Sequence, residues 1–508
     1  MFKKTKYLII FLALLVTCTG LAVAADVNDT TNDATTITAD TTTVSEVQEQ
    51  TIASESNKII KDNKNLKEDP TLIEVNDDNF DDYFKSTGFE NNVNDGDTIS
   101  FIGDVSRYNN TTYVVDKQIN LLGNDYTITL NTTSGSYFGN ETGSSFIFDN
   151  GAAGSTVSNI NFYNTQVIVR NTTNIVFNNI DQTVYNQRIG QGIGTFSIRD
   201  GSSYITVQNS VFTTTNNDNS STLVLADVQH CTIDNNTITG VGEVGNLLYL
   251  TTYNIETTPT ENTNSYNIIK YNTINGPSTS SPFCWALVLS GHDNTVFKNI
   301  INYVGTAITT QAINVIDENN YQHQISLDNV IANNTVNNAG SVIIITGNTV
   351  VNNTFTGTLQ TGTNSLIENN TITKKVTAQA GSSLYYNIIF DGVLVNGQNV
   401  NLIGNNISKT VNITKNNIYI EYNHICGNVR LTSSFNNVTM QNNIHCGEFI
   451  GNKYPSININ NTHCGSDCTC VTCGCQSVQL NSNKNLKSDE NIIEITKDNV
   501  QDYFEIYN

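Results

Sequence analysis

Two apolar residues five apart, with Asn two or three places after the first, return eleven times between Val157 and Ile425. The pairs are Val157/Phe162, Ile175/Ile180, Val207/Phe212, Ile233/Ile238, Ile269/Ile274, Val296/Ile301, Ile331/Val336, Val350/Phe355, Ile367/Ile372, Leu402/Ile407 and Ile420/Ile425. Alternate side chains of an extended strand share a face, so residues five apart reach one interior only if the backbone bends between them. Asn tolerates the left-handed conformation and bonds nearby backbone, so Asn235-Asn236, Asn333-Asn334, Asn352-Asn353 and Asn369-Asn370 read as corners joining two short strands. Successive pairs start 17 to 19 residues apart four times, and the gaps of 35 and 36 residues read as two units with one unmarked.

A unit this short cannot bury its apolar side alone, so stacked units must share a continuous core. The predicted fold is all-β, a right-handed parallel β-helix with a short N-terminal strand-helix cap. Stacking sets Asn above Asn at the ~4.8 Å strand spacing, where side-chain amides form ladders. The abundance of Asn is thereby assigned to scaffold.

Lys3, Lys4 and Lys6, an apolar run from Tyr7 to Val16 and Ala22-Val23-Ala24 follow the order of a secretory signal, giving residues 1–24 as a signal peptide. Residues 25–70, rich in Thr, Asn and Asp, read as a flexible stalk. The β-helix is assigned to residues 71–460. It opens with the strand Leu72-Ile73-Glu74-Val75 and a helical stretch from Asp78 to Lys85 that places Phe80, Tyr83 and Phe84 together. These cover the otherwise open first rung. Excursions near Tyr185 to Ile198, Val241 to Thr263 and Gly276 to Trp285 are candidate binding loops. Trp285, with Phe283, Tyr249, Tyr253 and Tyr266, is the candidate set for stacking on sugar rings, and core packing is the alternative for each.

Residues 461–477 are Cys-rich, and 478–508 repeat the module start: Asn63 to Phe84 recurs as Asn483 to Phe504 with 13 of 22 positions identical. Descent from a multi-module chain explains the match, and a second cap is the alternative. Three segments share a local repeat, Asn423-His424-Ile425-Cys426-Gly427, Asn443-Ile444-His445-Cys446-Gly447 and Asn461-Thr462-His463-Cys464-Gly465, so Cys426, Cys446 and Cys464 should stack in a column at disulfide distance. Cys464, Cys468, Cys470, Cys473 and Cys475 crowd into twelve residues. A disulfide knot is the first reading of that cluster, and a thiolate metal site, with His445 or His463 adding nitrogen, is the second.

The formal charge is −22, and losing the three lysines of the signal takes it to −25. Such a chain does not suit nucleic acid or anionic membrane as partner. Glycans, cell-surface proteins and cations such as Ca²⁺ suit it better. Catalysis on a polysaccharide requires paired carboxylates, or Ca²⁺-binding acids with a base. The fragments available are Arg199-Asp200-Gly201, Asp227, Asp234 and Gly291-His292-Asp293, a thin supply.

The signal segment, the Asn/Thr-rich stalk, the Asn-Asn-Thr-Ile rungs and the block from Asn79-Phe80 through Asp95-Gly96-Asp97-Thr98-Ile99 to Tyr113-Val114-Val115-Asp116-Lys117 make the chain similar to the Asn/Thr-rich adhesin-like proteins of methanogenic archaea. The resemblance implies a pectate-lyase-like β-helix at the cell surface that contacts glycans or neighbouring cells. The wall-binding repeat or anchor of larger members is not identifiable in this chain. The expectation is an exported adhesin-like protein, with a secreted polysaccharide lyase or glycoside hydrolase, or a structural coat element, as alternatives.

Overall fold

The computed structural model describes residues 70–464, apart from 91, 109–110, 131–144, 186–193, 216–219, 252–263, 282–283, 312, 317–321, 326–327, 433–436 and 452–454. The expected signal segment, nearly all of the stalk, Cys468 to Cys475 and the partial repeat 478–508 lie outside the described residues.

Most rungs contain three strands, and in two the first two sides are one continuous strand, Thr156–Tyr163 and Val176–Tyr185. In one three-strand rung the strands are Thr349–Val351, Thr354–Phe355 and Thr358–Gln360, and in the next Leu366–Glu368, Thr371–Ile372 and Val376–Ala378. Strands pair in parallel with their counterparts one rung away, as in Val350↔Ile367, Phe355↔Ile372 and Leu359↔Val376. Among the described residues the first two sides of the coil form one sheet of 31 strands and the third side one of 15. Crossovers between parallel strands are almost always right-handed, and the chain is a right-handed parallel β-helix. Among the described residues no helix is long and apolar enough to cross a membrane.

All twenty-two residues of the eleven apolar pairs are at most 1% exposed. Burying a side chain of this size is worth roughly 1.5–3 kcal/mol. In ten of the eleven pairs the bend is a residue with positive φ two places after the first, and in Ile175/Ile180 it is Asn179, four places after the first. Asn159, Asn179, Asn209, Asn235, Asn333, Asn352, Asn369, Asn442 and Asn460 hold this corner with φ of 53–57°.

The following residue is the ladder. Asn236, Asn272, Asn299, Asn334, Asn353, Asn370, Asn387, Asn405, Asn423 and Asn443 each donate from Nδ2 to the Oδ1 of the next in line, at 2.8–3.0 Å, ending on Asn461. In an Asn-Asn corner the first residue therefore turns the chain and the second bonds along the stack. A shorter ladder, Asn267–Asn294–Asn329–Asn348, lines the opposite end of the same short strands.

Two expectations about register require correction. Val157 and Val207 both pair with Phe177, and Phe162 and Phe212 both pair with Gln182. The in-column pair of that rung is thus Phe177/Gln182, with Ile175 and Ile180 buried two residues away. Gln182 is tolerated because its amide nitrogen, Nε2, donates to the Thr165 and Thr195 carbonyls at 2.9 and 2.8 Å. The long gaps also differ from one another. Ile233 pairs directly with Ile269 and Val296 with Ile331, so these 36- and 35-residue gaps are single rungs carrying insertions. The second insertion holds an antiparallel hairpin, Ile313–Ile316 with Gln322–Ile325. Only the Ile367 to Leu402 gap hides a rung, marked by Leu384 and Ile389.

At the N-terminal end, Leu72–Val75 joins the sheet by pairing with Thr98–Phe101. The expected helix is a single turn, Phe80–Tyr83. Phe80 and Phe84 are fully buried and stack at 4.7 Å, with Phe84 reaching Phe146 at 5.3 Å, so this turn closes the core.

Candidate functional site: an aromatic platform on the coil

The first strand of each rung lies between two corners, and the corner that precedes it also takes positive φ. Asn174, Tyr204, His230, Tyr266, Asp293, Asp328, Gly347, Asn364, Gly381, Asn399, Asn417 and Asn437 occupy it in turn, with φ of 54–69°. Asn, Asp and Gly accept this conformation readily, whereas an L-residue with a ring does so at roughly 1–2 kcal/mol. Three successive rungs nevertheless carry a ring here.

Because the rungs are in register through Ser203↔Gln229↔Ser265↔His292, the rings stack. Tyr204 and His230 lie 4.8 Å apart and within 6° of parallel, and His230 and Tyr266 lie 5.1 Å apart and within 8°. His292 meets Tyr266 edge-on at 5.9 Å. Tyr204 is 54% exposed and Tyr266 48%, so the column is an open surface. Burial lowers the His230 imidazole below its ordinary pKa, which keeps the ring uncharged at neutral pH.

At the far corner of the neighbouring rungs, Tyr271 and Lys298 occupy the positive-φ position. Tyr271 lies 6.0 Å from Phe297, with the Lys270 and Lys298 ammonium groups each 5.8 Å from its ring. Between the two corners the strands Thr206–Gln208, Thr232–Asp234 and Ile268–Lys270 run side by side. Asp234 and Lys270 form an ion pair at 3.2 Å. The result is a strip with rings along both edges and hydroxyl, amide, carboxylate and ammonium groups across it. Its rungs repeat at ~4.8 Å.

Of the residues singled out from sequence, Tyr266 belongs to this strip. Tyr249 and Trp285 are half-buried on the 15-stranded side: Tyr249 pairs with Val224 and Val288, and the Trp285 backbone N–H donates to Asn246 Oδ1 at 3.1 Å. Tyr253 and Phe283 lie outside the described residues. The acids are engaged locally, Asp200 with Arg199 at 3.3 Å and Asp293 with His292 at 2.9 Å, while Asp227 is nearly buried. Sequence reasoning missed Tyr204, His230, Lys270 and Tyr271. The signal that finds Tyr204, His230 and Tyr271 is a ring at a corner position that other rungs fill with Asn, Asp or Gly.

At the C-terminal end, Cys426, Cys446 and Cys464 are in register, their N–H groups donating to the carbonyls of Ile407, Ile425 and His445 at 2.8–3.0 Å. Cys426 and Cys446 are each disulfide-bonded and stand on successive rungs. Of the proposed thiolate set, Cys464 is described and Cys468, Cys470, Cys473 and Cys475 are not. His445 pairs with Ile425, is 5% exposed and stacks on His463 at 5.0 Å, whereas His424 stands beside the Cys426 and Cys446 sulfurs. Cys231 and Cys284 are core thiols that burial pushes up to about 12 and about 11.

No family model matches the chain, and neither does any curated protein. Solved structures resemble it in architecture. The catalytic domain of a GH87 α-1,3-glucanase in complex with nigerose is 15% identical over 75% of this chain and 68% of its own, with a TM-score of 0.33. The tailspike protein of E. coli bacteriophage HK620, in complex with a pentasaccharide, is 10% identical over 72% of each chain, with a TM-score of 0.33. The Streptococcus pneumoniae surface protein and adhesin PfbA is 12% identical over 70% of this chain and 91% of its own, with a TM-score of 0.28. At such identities and scores the likeness does not extend to function.

Proposed function

We propose that the protein is an exported, surface-associated adhesin that binds an extended glycan along the strip edged by Tyr204, His230 and Tyr266. The observation that carries this reading is the exposed stack of three rings at left-handed corners. Maintaining rings there opposes stability, and nothing in the core requires them. Flat rings offer apolar faces to pyranose rings, and Gln208, Thr232, Asp234 and Lys270 offer hydrogen bonds to hydroxyl groups. The local pairing of Asp200 with Arg199, Asp234 with Lys270 and Asp293 with His292 favours binding over hydrolysis, which needs two carboxylates acting on one bond.

The test is retention of the full chain in gels containing neutral or acidic polysaccharides, with new reducing ends and unsaturated products assayed in parallel, with and without Ca²⁺. Retention that falls on Tyr266→Ala without product formation supports the reading. Sustained turnover, or retention indifferent to both Tyr204→Ala and Tyr266→Ala, overturns it.

A further inference from the structure

We propose that His424, Cys426 and Cys446 form a site for a thiophilic divalent ion such as zinc, opened when the disulfide bonding of Cys426 and Cys446 is reduced. The proposal is independent of the glycan strip. The Nδ1 or Nε2 of His424 and the two sulfurs all lie within 4.8 Å of one another. A tetrahedral zinc with Zn–S of about 2.3 Å and Zn–N of about 2.0–2.1 Å needs ligand atoms separated by roughly 3.5–3.8 Å, which this cluster accommodates.

The backbone fixes the arrangement. His424 and Cys426 are two apart in extended chain and share a side, and Cys446 follows Cys426 one rung along the same column. The rung hydrogen bonds hold that spacing whether or not the sulfurs are joined. Cys464 continues the column one rung further but lies outside this 4.8 Å group, so water is the fourth ligand. His445, adjacent to Cys446, is directed into the core and takes no part.

The chemistry balances with a dithiol reductant. It transfers two electrons and two protons to each sulfur–sulfur bridge that it opens, giving two thiols per bridge and freeing the Cys426 and Cys446 sulfurs, and leaves as its own disulfide. Metal binding then expels the two thiol protons and forms two metal–sulfur bonds, with His424 contributing a lone pair. Oxidation by a disulfide of higher potential re-forms the disulfide bonding and releases the ion.

The experiment uses the full chain with Cys468, Cys470, Cys473 and Cys475 replaced by Ser, so that downstream thiols do not compete. The protein is reduced anaerobically, freed of reductant and titrated with Co²⁺, read by thiolate-to-cobalt charge-transfer absorption, then with Zn²⁺ to displace it. One equivalent of Co²⁺ is expected in the reduced form and none in the oxidised form, with the band lost in Cys426→Ser and in Cys446→Ser. His424→Gln keeps both sulfurs and tests the nitrogen ligand should a Cys variant fail to fold. It is expected to weaken binding and shift the cobalt d–d bands. Absence of the band in the reduced chain, equal uptake by the oxidised chain, or a spectrum and affinity unchanged by His424→Gln would each overturn the proposal.

Discussion

Asn370→Ala tests the account of the fold most directly. The Asn370 side chain is 1% exposed. Its Oδ1 accepts from the Asn353 N–H at 2.9 Å and from Asn353 Nδ2 at 3.0 Å. Its Nδ2 donates to the Val350 and Glu368 carbonyls at 2.9 Å and to Asn387 Oδ1 at 3.0 Å. Nδ2 has two hydrogens to share among its three acceptors, so truncation removes about four bonds at a net ~1 kcal/mol each, water entering the space re-pairs part of the loss, and the expected destabilisation is roughly 2–4 kcal/mol. Asn369→Ala is the matched control. Asn369 itself holds φ of 54° at the half-buried corner, so Ala there loses only the left-handed tolerance, about 1 kcal/mol. Because rungs interact with their neighbours, the effect should be local as well as global. Urea unfolding of the full chain followed by circular dichroism gives the total, and amide exchange across residues 348–390 gives the local share. If Asn370→Ala costs no more than Asn369→Ala, the amide ladder is not what holds the stack.

Tyr266→Ala should weaken glycan retention by roughly tenfold, the worth of one aromatic stack at ~1–1.5 kcal/mol, while Tyr204→Gly should weaken retention without lowering the thermal midpoint, because Gly relieves the positive-φ strain. Gln182→Leu restores an apolar residue to the Phe162/Phe212 column but leaves the Thr165 and Thr195 carbonyls unsatisfied, and urea titration should show a loss of about 2 kcal/mol. Burial raises the Glu368 carboxyl above its ordinary value of 4.5. The folded state therefore holds the proton more tightly than the unfolded state: the carboxyl's contribution to stability is fully present below pH 4.5 and lost as pH rises through the folded pKa. Glu368→Gln should accordingly raise the thermal midpoint at pH 7 and leave it nearly unchanged near pH 4.

The chain's own periodicity determined the rung. Two inward residues flanking a left-handed turn can be read from Ile331, Asn333 and Val336, because positive φ and side-chain parity are local properties of the residues concerned. The amide ladder was legible for the same reason, since stacking identical corners brings identical side chains together. Register was not. A slip of two residues keeps side-chain parity, so the apolar pattern selects Ile175/Ile180 over Phe177/Gln182, and only pairing with Val157 and Val207 shows that the second pair is the one in column. The length of a gap likewise cannot separate an unmarked rung from an insertion. The direct pairing of Ile233 with Ile269 decided that case, and the intervening strands Ser383–Tyr385 and Ile388–Ile389 decided the other. The Cys column could be foreseen from a repeated segment, whereas the placement of His424 rather than His445 beside the sulfurs depended on which residue each rung turned inward. The ring stack joins Tyr204, His230 and Tyr266, which are 26 and 36 residues apart in the chain. No local pattern links them, and only the stacking of rungs with unequal insertions sets their rings face to face.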